Sequence, residues 1–427
     1  MSLPYFEITG GNRLRGSVRI GGAKNAALPI MAAAILCEGE VILHDIPDVA
    51  DVRSLCELLS KLGLEAGRRG DGALRLCVRD ESNSLAEYDI VRKMRASICV
   101  LGPLLAKRRR AQVSMPGGCA IGDRPVDLHL RAVKALGAEI ELRSGDICAS
   151  TKQLHGTELF LGGPFGSTVL GTANAMMAAT LADGVTVIEM AACEPEVVDL
   201  ANFLNKCGAA IQGQGTPRIV VEGVKRLHGC EHRIIPDRIE CGTMMVAAAI
   251  TNGELRIENC RLDHLMAFVD RLAAVGVNVE KGGDCVANVS SARRLEPIDL
   301  TTQPFPGFPT DLQAQMMSLL CLADGNSIVT EKIFPDRYMH VPELSRMGAR
   351  LRREGATVVV QGVRQLIGAP VMASDLRASA ALVLAGLSAQ GVTKVNRIYH
   401  LERGYYRLDE KLRAVGAAIE RKDGGED

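Results

Sequence analysis

The chain has 427 residues, of which 50 are basic and 50 acidic, so its formal net charge is zero. This balance argues against binding through bulk charge, and we predict neither a nucleic-acid nor a membrane partner. The 13 cysteines include no Cys-x-x-Cys pair and no zinc-like histidine spacing, which predicts reduced thiols, a cytoplasmic location and no metal site. The longest nearly apolar run, residues 26–37, is shorter than the roughly 20 residues of a membrane span.

In chain order, residues 5–20 predict two short strands, and residues 222–235 show the same pattern. Between and after them one unit recurs six times: an Ala-rich apolar helix, a Val/Ile strand, and an amphipathic helix that ends near a glycine. The apolar helices are predicted to begin near Lys24, Arg95, Thr172, Ile239, Asp311 and Leu376. The closing glycines are Gly63, Gly137, Gly208, Gly276, Gly348 and Gly416.

Successive closing glycines are 74, 71, 68, 72 and 68 residues apart, a regularity that indicates an internal repeat. A period of about 70 residues predicts six βαβαββ-type subdomains, divided into two α/β domains of three. We predict a discontinuous domain of residues 1–21 plus 236–427 and an inserted domain of residues 22–235.

The stretch Ser114–His129, SMPGGCAIGDRPVDLH, predicts a reactive thiol on a loop. Cys119 follows a proline and two glycines, and these residues disfavour helix and strand interiors. Arg124 and Asp127 stand close behind it, and a nearby guanidinium lowers the pKa of a thiol. From the residues alone, a functional Cys119 and a buried, inert one are about equally supported.

Several cations lie at or next to predicted helix starts, where they oppose the helix dipole, so capping does not explain them. Thr172 and Asn174, by contrast, are explained as helix caps. Guanidinium groups bind phosphate and carboxylate, which predicts a substrate with both groups. The candidate cations are Lys24, Arg95, Arg124, Arg238, Arg337, Arg377 and Arg403.

Nine strings in order along nearly the whole chain resemble the UDP-N-acetylglucosamine 1-carboxyvinyltransferases, the enolpyruvyl transferases of bacterial peptidoglycan synthesis. They are GGAKNAALPI, RKMRAS, SMPGGCAIGDRPVDLH, EPEVVDLANFL, PDRIECGT, FPTDLQAQ, DRYMHVPELSRMGA, SDLRASAALVLAG and RIYHLERGY. The resemblance implies a two-domain inside-out α/β barrel with three repeats in each domain. It also implies a cytoplasmic bacterial transferase for cell-wall biogenesis, cell shape and division, sensitive to fosfomycin and without a cofactor.

The resemblance implies transfer of the enolpyruvyl group of phosphoenolpyruvate to the 3-hydroxyl of UDP-N-acetylglucosamine with release of phosphate, the first committed step of peptidoglycan precursor synthesis. Catalytic roles fall to Cys119, Asp311, Lys24 and Arg403, with Asp311 as the base for the sugar hydroxyl and Cys119 as the acid at C3 or a group in product release. Lys24 and Arg124 would hold the phosphate of phosphoenolpyruvate, and Arg337 and Arg403 would face its carboxylate; Arg377 is a further substrate-binding candidate. The nucleotide sugar would contact Asn25, Arg95, Arg124, Pro125, Val126, Asp127, Leu128, Thr168, Val169, Asp311 and Ile333.

Two alternatives stay open at this point. A shikimate-pathway enolpyruvyl transferase would share the phosphoenolpyruvate chemistry, but the cysteine loop and the PVDLH segment favour the nucleotide-sugar enzyme. A non-catalytic paralogue that binds UDP-sugar and regulates wall synthesis would be expected to have lost Lys24, Cys119 or Asp311, and all three are present. The histidines His129, His340 and His400 are interpreted as structural hydrogen-bonding groups.

Overall fold

The structure is a computed structural model that describes residues 3–115, 126–291 and 294–423. The described chain forms two compact units. The continuous unit comprises residues 22–115 and 126–235, and the discontinuous unit comprises residues 3–21, 236–291 and 294–423. Each unit has its own hydrophobic core.

The strands of the described chain are short, mostly of five residues. They are β1 (Tyr5–Thr9), β2 (Arg15–Arg19), β3 (Cys37–Glu38), β4 (Glu40–His44), β5 (Leu64–Arg68), β6 (Leu74–Val78), β7 (Leu85–Ala86), β8 (Arg110–Ser114), β9 (Glu139–Arg143), β10 (Asp146–Ser150), β11 (Glu158–Phe160), β12 (Val185–Glu189), β13 (Ala210–Gln212), β14 (Arg218–Glu222), β15 (Leu227–His228), β16 (Glu231–Arg233), β17 (Glu254–Glu258), β18 (Val277–Gly283), β19 (Val286–Ser291), β20 (Asp299–Thr301), β21 (Asn326–Thr330), β22 (Arg350–Glu354), β23 (Thr357–Gln361), β24 (Pro370–Met372), β25 (Val392–Asn396) and β26 (Ala418–Lys422).

Apart from the four-residue α3, the α-helices of the described chain alternate between apolar and amphipathic ones. They are α1 (Lys24–Ala33), α2 (Ala50–Lys61), α3 (Tyr88–Val91), α4 (Leu101–Arg108), α5 (Asp127–Ala135), α6 (Val169–Ala179), α7 (Pro195–Lys206), α8 (Arg238–Ile250), α9 (Met266–Val275), α10 (Gln313–Leu320), α11 (Val341–Arg346), α12 (Leu376–Ser388) and α13 (Leu408–Ala414). Short 3₁₀ segments cover Ala34–Leu36, Arg95–Val100, Leu262–His264, Thr310–Leu312 and Ile398–Arg403. Among the residues described, no helix is long and apolar enough to cross a membrane.

Each unit contains three four-stranded sheets, and the described part of the continuous unit adds the two-stranded pair β15–β3. The sheets of the continuous unit have the orders β7-β8-β10-β9, β11-β12-β14-β13 and β16-β4-β6-β5. Those of the discontinuous unit have the orders β24-β25-β1-β26, β18-β19-β17-β2 and β20-β21-β23-β22. Every one of these six sheets combines one parallel pairing with two antiparallel ones, which is the structural form of the sixfold repeat.

The apolar helices lie inside each unit and the sheets lie outside. All eight residues of α10 are buried, and α1, α6, α8 and α12 are buried nearly all round. Helices of this composition bury every face, since Ala and Gly let neighbouring backbones approach closely. The amphipathic helices α2 and α5 bury one face only. This arrangement confirms the inside-out α/β fold.

Three repeats are completed by strands from distant parts of the chain. In the continuous unit, β16 near residue 232 pairs with β4 of the first repeat. In the discontinuous unit, β2 pairs with β17, and β1 pairs with both β25 and β26. The short strands predicted at 5–20 and 222–235 therefore supply the missing first or last strand of a repeat.

The six closing glycines all have left-handed backbone conformations, with φ between +86° and +102°. Each lies at the carboxyl end of an amphipathic helix, where a left-handed residue ends the helix and where a side chain would add strain. Their regular spacing in the sequence therefore reflects a conformational requirement that is repeated six times.

Each point at which the chain leaves a unit is held by a buried carboxylate of that unit. In the discontinuous unit the backbone N–H of Gly21 donates to Glu240 Oε2 at 3.0 Å, and Lys411 pairs with the same carboxylate. In the continuous unit the backbone N–H of Ile235 donates to Asp199 Oδ2 at 3.3 Å. The other oxygen of Asp199 lies 2.9 Å from His232 Nε2. These contacts fix the ends of both connections without involving the predicted site residues.

Candidate functional site

In the discontinuous unit, Asp311 lies between two arginines. Its Oδ1 accepts a hydrogen bond from Arg337 Nη1 at 2.7 Å, and its Oδ2 accepts one from Arg377 Nη2 at 2.8 Å. Asp311 stands on the 3₁₀ turn before α10, Arg337 on the loop before α11, and Arg377 in the first turn of α12. The repeat thus brings together three predicted site residues that are up to 66 positions apart in sequence.

The electrostatics of this cluster favour an anion. The side chains of Arg337 and Arg377 are 8% and 3% exposed, whereas that of Asp311 is 24% exposed. Burial opposes ionisation of Asp311, but the charges and hydrogen bonds of Arg377 and Arg337 outweigh it and hold the pKa of the Asp311 carboxyl well below its usual range. Both guanidinium groups donate to one carboxylate, and guanidinium groups also bind the carboxylate or phosphate of a substrate.

Arg377 is held on its other side by a buried polar network. Its guanidinium lies over the ring of Tyr405, 5.4 Å from the centroid, an arrangement typical of a cation–π contact. The hydroxyl of Tyr405 is 2.8 Å from the hydroxyl of Thr243. Gln315 donates to the Tyr405 hydroxyl at 3.2 Å and to the backbone carbonyl of Asp311 at 2.9 Å. These side chains fix both partners of the Asp311–Arg377 pair.

The first turn of α12 is capped by Asp375, whose Oδ1 accepts from the backbone N–H groups of Arg377 and Ala378 at 2.8 and 3.1 Å. The cap accounts for the position of Arg377 at the helix start. Of the other predicted residues of this unit, Arg403 ends the 3₁₀ segment Ile398–Arg403 and is partly buried, and Ile333 lies in the turn after β21.

His340 is buried beside this cluster and has a titration that can be tested. Burial, assisted by the charge of Arg337 and opposed by that of Asp375, lowers the pKa of His340 to about 4. The unfolded chain therefore takes up a proton below its ordinary pKa of about 6.5, while the folded protein stays neutral down to about pH 4. The stability that neutral His340 contributes is present above about pH 6.5 and is lost as the pH falls towards 4.

We therefore expect urea unfolding to show a smaller loss of unfolding free energy between pH 6.5 and 4.5 for His340→Gln than for the unchanged protein. Gln keeps a polar side chain but does not titrate. Equal losses in the two proteins would contradict a depressed pKa at this position.

In the continuous unit, Lys24 forms a buried ion pair with Asp51. The distance from Lys24 Nζ to Asp51 Oδ2 is 3.1 Å, and both side chains are at least 90% buried. Lys24 is the first residue of α1, which has no capping side chain, and Asp51 lies in the first turn of α2. The pair holds a cation at a helix start despite the unfavourable dipole.

The other predicted residues of this unit that the structure describes also lie at helix starts. Thr168 caps α6 by accepting from the backbone N–H of Gly171 at 3.2 Å, and Val169 is the first residue of that helix. Arg95 begins the 3₁₀ segment that precedes α4, and Asn25 is the second residue of α1. The start of α5 comprises Val126, Asp127 and Leu128, of which Asp127 is exposed.

The expectation that Thr172 and Asn174 cap a helix is wrong, because α6 begins three residues earlier, at Val169. Asn174 instead ties three segments together inside the unit. Its amide accepts from the backbone N–H of Gly102 at 2.8 Å, donates to the carbonyl of Ile98 at 3.0 Å, and lies 2.8 Å from His129 Nδ1. These contacts are consistent with the structural interpretation of His129.

Cys119, Arg124 and Pro125 lie outside the described residues, so their predicted roles rest on the sequence. Within the described ranges, no three His, Cys, Asp or Glu side chains are grouped as a metal site would require. Sequence reasoning missed Asp51, Gln315 and Tyr405. Gln315 and Tyr405 lie in the quoted strings FPTDLQAQ and RIYHLERGY, whereas Asp51 lies in IPDVADV, outside all nine strings.

Comparisons with known proteins agree with this architecture. A family model described as EPSP synthase (3-phosphoshikimate 1-carboxyvinyltransferase) matches residues 8–412. The UDP-N-acetylglucosamine 1-carboxyvinyltransferase of Nitratidesulfovibrio vulgaris strain Hildenborough is 54% identical over 416 residues, 97% of this chain and 98% of the relative. The protein of the same name from Akkermansia muciniphila is 51% identical over 417 residues, 97% of each chain.

Among solved structures, the enolpyruvyl transferase NikO from Streptomyces tendae covers 100% of both chains at 26% identity, with a TM-score of 0.90. EPSP synthase from Acinetobacter baumannii covers 98% of this chain and 100% of its own at 17% identity, with a TM-score of 0.75, and shows the same fold. The resemblance and the fold class expected from the sequence are thereby confirmed. The chain belongs to the EPSP synthase family of enolpyruvyl transferases.

Proposed function

We propose that this protein transfers the enolpyruvyl group of phosphoenolpyruvate to the 3-hydroxyl of UDP-N-acetylglucosamine and releases phosphate, as the first committed step of peptidoglycan precursor synthesis in the bacterial cytoplasm. The observation that carries the proposal is identity above 50% along 97% of the chain to relatives named for this activity. Within the structure, the buried Asp311–Arg337–Arg377 cluster supports it, because the reaction needs a base beside a site for anions.

The description of the matching family model raises a second acceptor, 3-phosphoshikimate. Identity argues against it, because the solved EPSP synthase is 17% identical to this chain, against 54% for the first nucleotide-sugar relative. A non-catalytic paralogue is disfavoured by the sequence, which keeps Lys24, Cys119 and Asp311.

Addition brings the sugar oxygen onto C2 of phosphoenolpyruvate and a proton onto C3, so a base and an acid must act on different partners. We assign the base to Asp311. Its low pKa makes it a weak base in this cluster, because both carboxylate oxygens accept hydrogen bonds from arginines. A substrate carboxylate that takes hydrogen bonds from Arg337 and Arg403 would weaken this hold and raise the basicity of Asp311 when both substrates are bound.

Elimination then removes the proton from C3 and expels phosphate, on which negative charge develops. We assign the phosphate to Lys24 and Arg124, and the acid at C3, or a step in product release, to Cys119. Arg377 is assigned to substrate binding, next to Asp311. We assign contacts with the nucleotide sugar to Asn25, Arg95, Arg124, Pro125, Val126, Asp127, Leu128, Thr168, Val169, Asp311 and Ile333.

Phosphate release from phosphoenolpyruvate, measured with UDP-N-acetylglucosamine and separately with 3-phosphoshikimate, tests the proposal. We expect phosphate release when UDP-N-acetylglucosamine is the acceptor and none when 3-phosphoshikimate is the acceptor. Release with 3-phosphoshikimate alone would establish the second acceptor, and release with neither would favour the non-catalytic paralogue.

The cysteine-loop sequence makes a separate prediction about Cys119. An epoxide phosphonate of the fosfomycin type is expected to alkylate this thiol in preference to the other 12, because the sequence around Cys119 predicts a loop with Arg124 close behind the thiol. Intact-mass and peptide mapping would show a single adduct on the peptide that contains Cys119, and Cys119→Ser would abolish it. An adduct on a different cysteine would contradict the prediction.

A further inference from the structure

Glu331 is a fully buried carboxylate that accepts four hydrogen bonds in the discontinuous unit. Its Oε1 accepts from the Thr302 hydroxyl at 2.7 Å and from the backbone N–H groups of Ile333 and Phe334 at 2.8 and 3.0 Å. Its Oε2 accepts from the Thr310 hydroxyl at 2.9 Å. A buried carboxylate is tolerated when donors surround it in this way, and its removal leaves those donors without a partner.

Two of these donors lead directly to the candidate site. Thr310 precedes Asp311, and its oxygen accepts a hydrogen bond from Arg337 Nη1 at 3.0 Å. The same Arg337 nitrogen donates to Asp311 Oδ1 at 2.7 Å. Ile333, whose backbone N–H donates to Glu331, is one of the residues assigned to the nucleotide sugar, and the turn that follows carries Arg337.

The proton of the Thr310 hydroxyl determines the direction of this chain of hydrogen bonds. A carboxylate offers acceptors only, so Thr310 has to donate its single proton to Glu331. The lone pairs of Thr310 are then left to accept from Arg337. Glu331 therefore orients the Thr310 hydroxyl, and this hydroxyl positions the Arg337 guanidinium for its contact with Asp311. Glu331 acts on the guanidinium only through Thr310.

We infer that Glu331 is a positioning residue that acts through Thr310 on Arg337, and through the backbone of Ile333 on the turn that meets the nucleotide sugar. The inference rests on the proposed function for the identity of the two substrates. It predicts that the effects on the two substrates can be separated. Thr310 acts on Arg337 alone, whereas Glu331 acts both on Arg337, through Thr310, and on the backbone of Ile333.

The test compares four variants by steady-state kinetics with phosphoenolpyruvate and UDP-N-acetylglucosamine. Thr310→Val keeps the shape but removes the hydroxyl, and it is expected to raise the KM for phosphoenolpyruvate about tenfold while leaving the KM for the nucleotide sugar within about twofold. Thr310→Ser keeps the hydroxyl and is expected to recover most of the lost affinity. Glu331→Gln is expected to raise both KM values, since an amide cannot accept from all four donors.

Thr393→Val is the matched control, because Thr393 is a fully buried threonine of β25 with a hydroxyl that has no hydrogen-bond partner among the described residues. It makes the same chemical change away from the cluster and should leave both KM values unchanged. A Thr310→Val protein with the phosphoenolpyruvate KM of the unchanged protein, or a Thr310→Ser protein as impaired as Thr310→Val, would overturn the inference. If Glu331→Gln does not fold, the two Thr310 variants decide alone.

If the unchanged protein turns over neither substrate, the proposed function is refuted, but the inference about Glu331 can still be tested. Crystal structures of the same variants then provide the test. We expect the Arg337 guanidinium to leave the 2.7 Å contact with Asp311 Oδ1 in Thr310→Val and to keep it in Thr310→Ser. An unmoved guanidinium in Thr310→Val would show that Glu331 and Thr310 do not position it.

Discussion

Asp311→Asn is expected to lower the turnover number for phosphate release by about 10²- to 10⁴-fold, the range for loss of a general base. An amide keeps the shape of the side chain but cannot take the proton of the sugar hydroxyl. A continuous phosphate assay at saturating phosphoenolpyruvate and UDP-N-acetylglucosamine measures the effect. A rate within about tenfold of the unchanged protein, or roughly 1.4 kcal/mol in the barrier, would exclude Asp311 as the base.

The same substitution should also destabilise the protein, because Arg337 and Arg377 lose their shared counter-charge. We expect up to about 3 kcal/mol, the lower end for breaking a buried pair, since a quarter of the Asp311 side chain is exposed. Alanine would leave both guanidinium groups facing a gap, so asparagine is the cleaner variant. Asp270→Asn on the outer helix α9, where Asp270 pairs with its neighbour Arg271 at the surface, is the matched control and should change neither rate nor stability.

Lys24→Met is expected to lower kcat/KM for phosphoenolpyruvate by at least about 100-fold, because the departing phosphate loses a cation in a buried setting. The variant also removes the contact of Lys24 with the buried Asp51 carboxylate, so the protein is expected to lose stability as well. Activity alone therefore cannot separate a phosphate-binding role from a structural one.

The double variant Lys24→Met with Asp51→Leu separates the two roles. Apolar side chains of similar size often replace a buried ion pair without loss of stability, so we expect the double variant to resist urea better than Lys24→Met does. Activity should stay as low as in Lys24→Met. Recovery of activity together with stability would show that Lys24 contributes to folding and not to the reaction.

The sixfold architecture could be predicted from the sequence because each repeat has to end an amphipathic helix in a left-handed conformation, which glycine adopts without strain. The spacing from Gly63 to Gly416 therefore carries information about the fold that does not depend on the identity of the core residues. The resemblance predicts Asp311 and Arg337 as site residues, and the pattern of cations near helix starts predicts Arg377; the structure brings the three into contact.

The supporting side chains could not be predicted, for a physical reason. Glu331 and Asp51 are ordinary acidic residues in sequence, and their importance arises from burial among donors or beside a cation that the fold alone brings near. The start of α6 was misplaced for a related reason. Thr172 and Asn174 are of residue types that often cap helices, but the apolar residues Val169 and Leu170 extend the helix back to Thr168. The side chains of Thr172 and Asn174 instead form hydrogen bonds with backbone groups of other segments.

The pairing of β1 with β25 and β26 has a consequence for synthesis of the chain. Phe6 pairs with Val395 and Arg421, so β1 cannot complete its sheet until β25 and β26 have been synthesised. At bacterial and eukaryotic rates of about 5–20 residues per second, that wait is roughly 20–80 s. Residues 22–235 bring all four strands of each of their three large sheets with them, and can pair them long before the final sheet closes. Strand β1 therefore stays without its two neighbouring strands until the ribosome has passed Lys422.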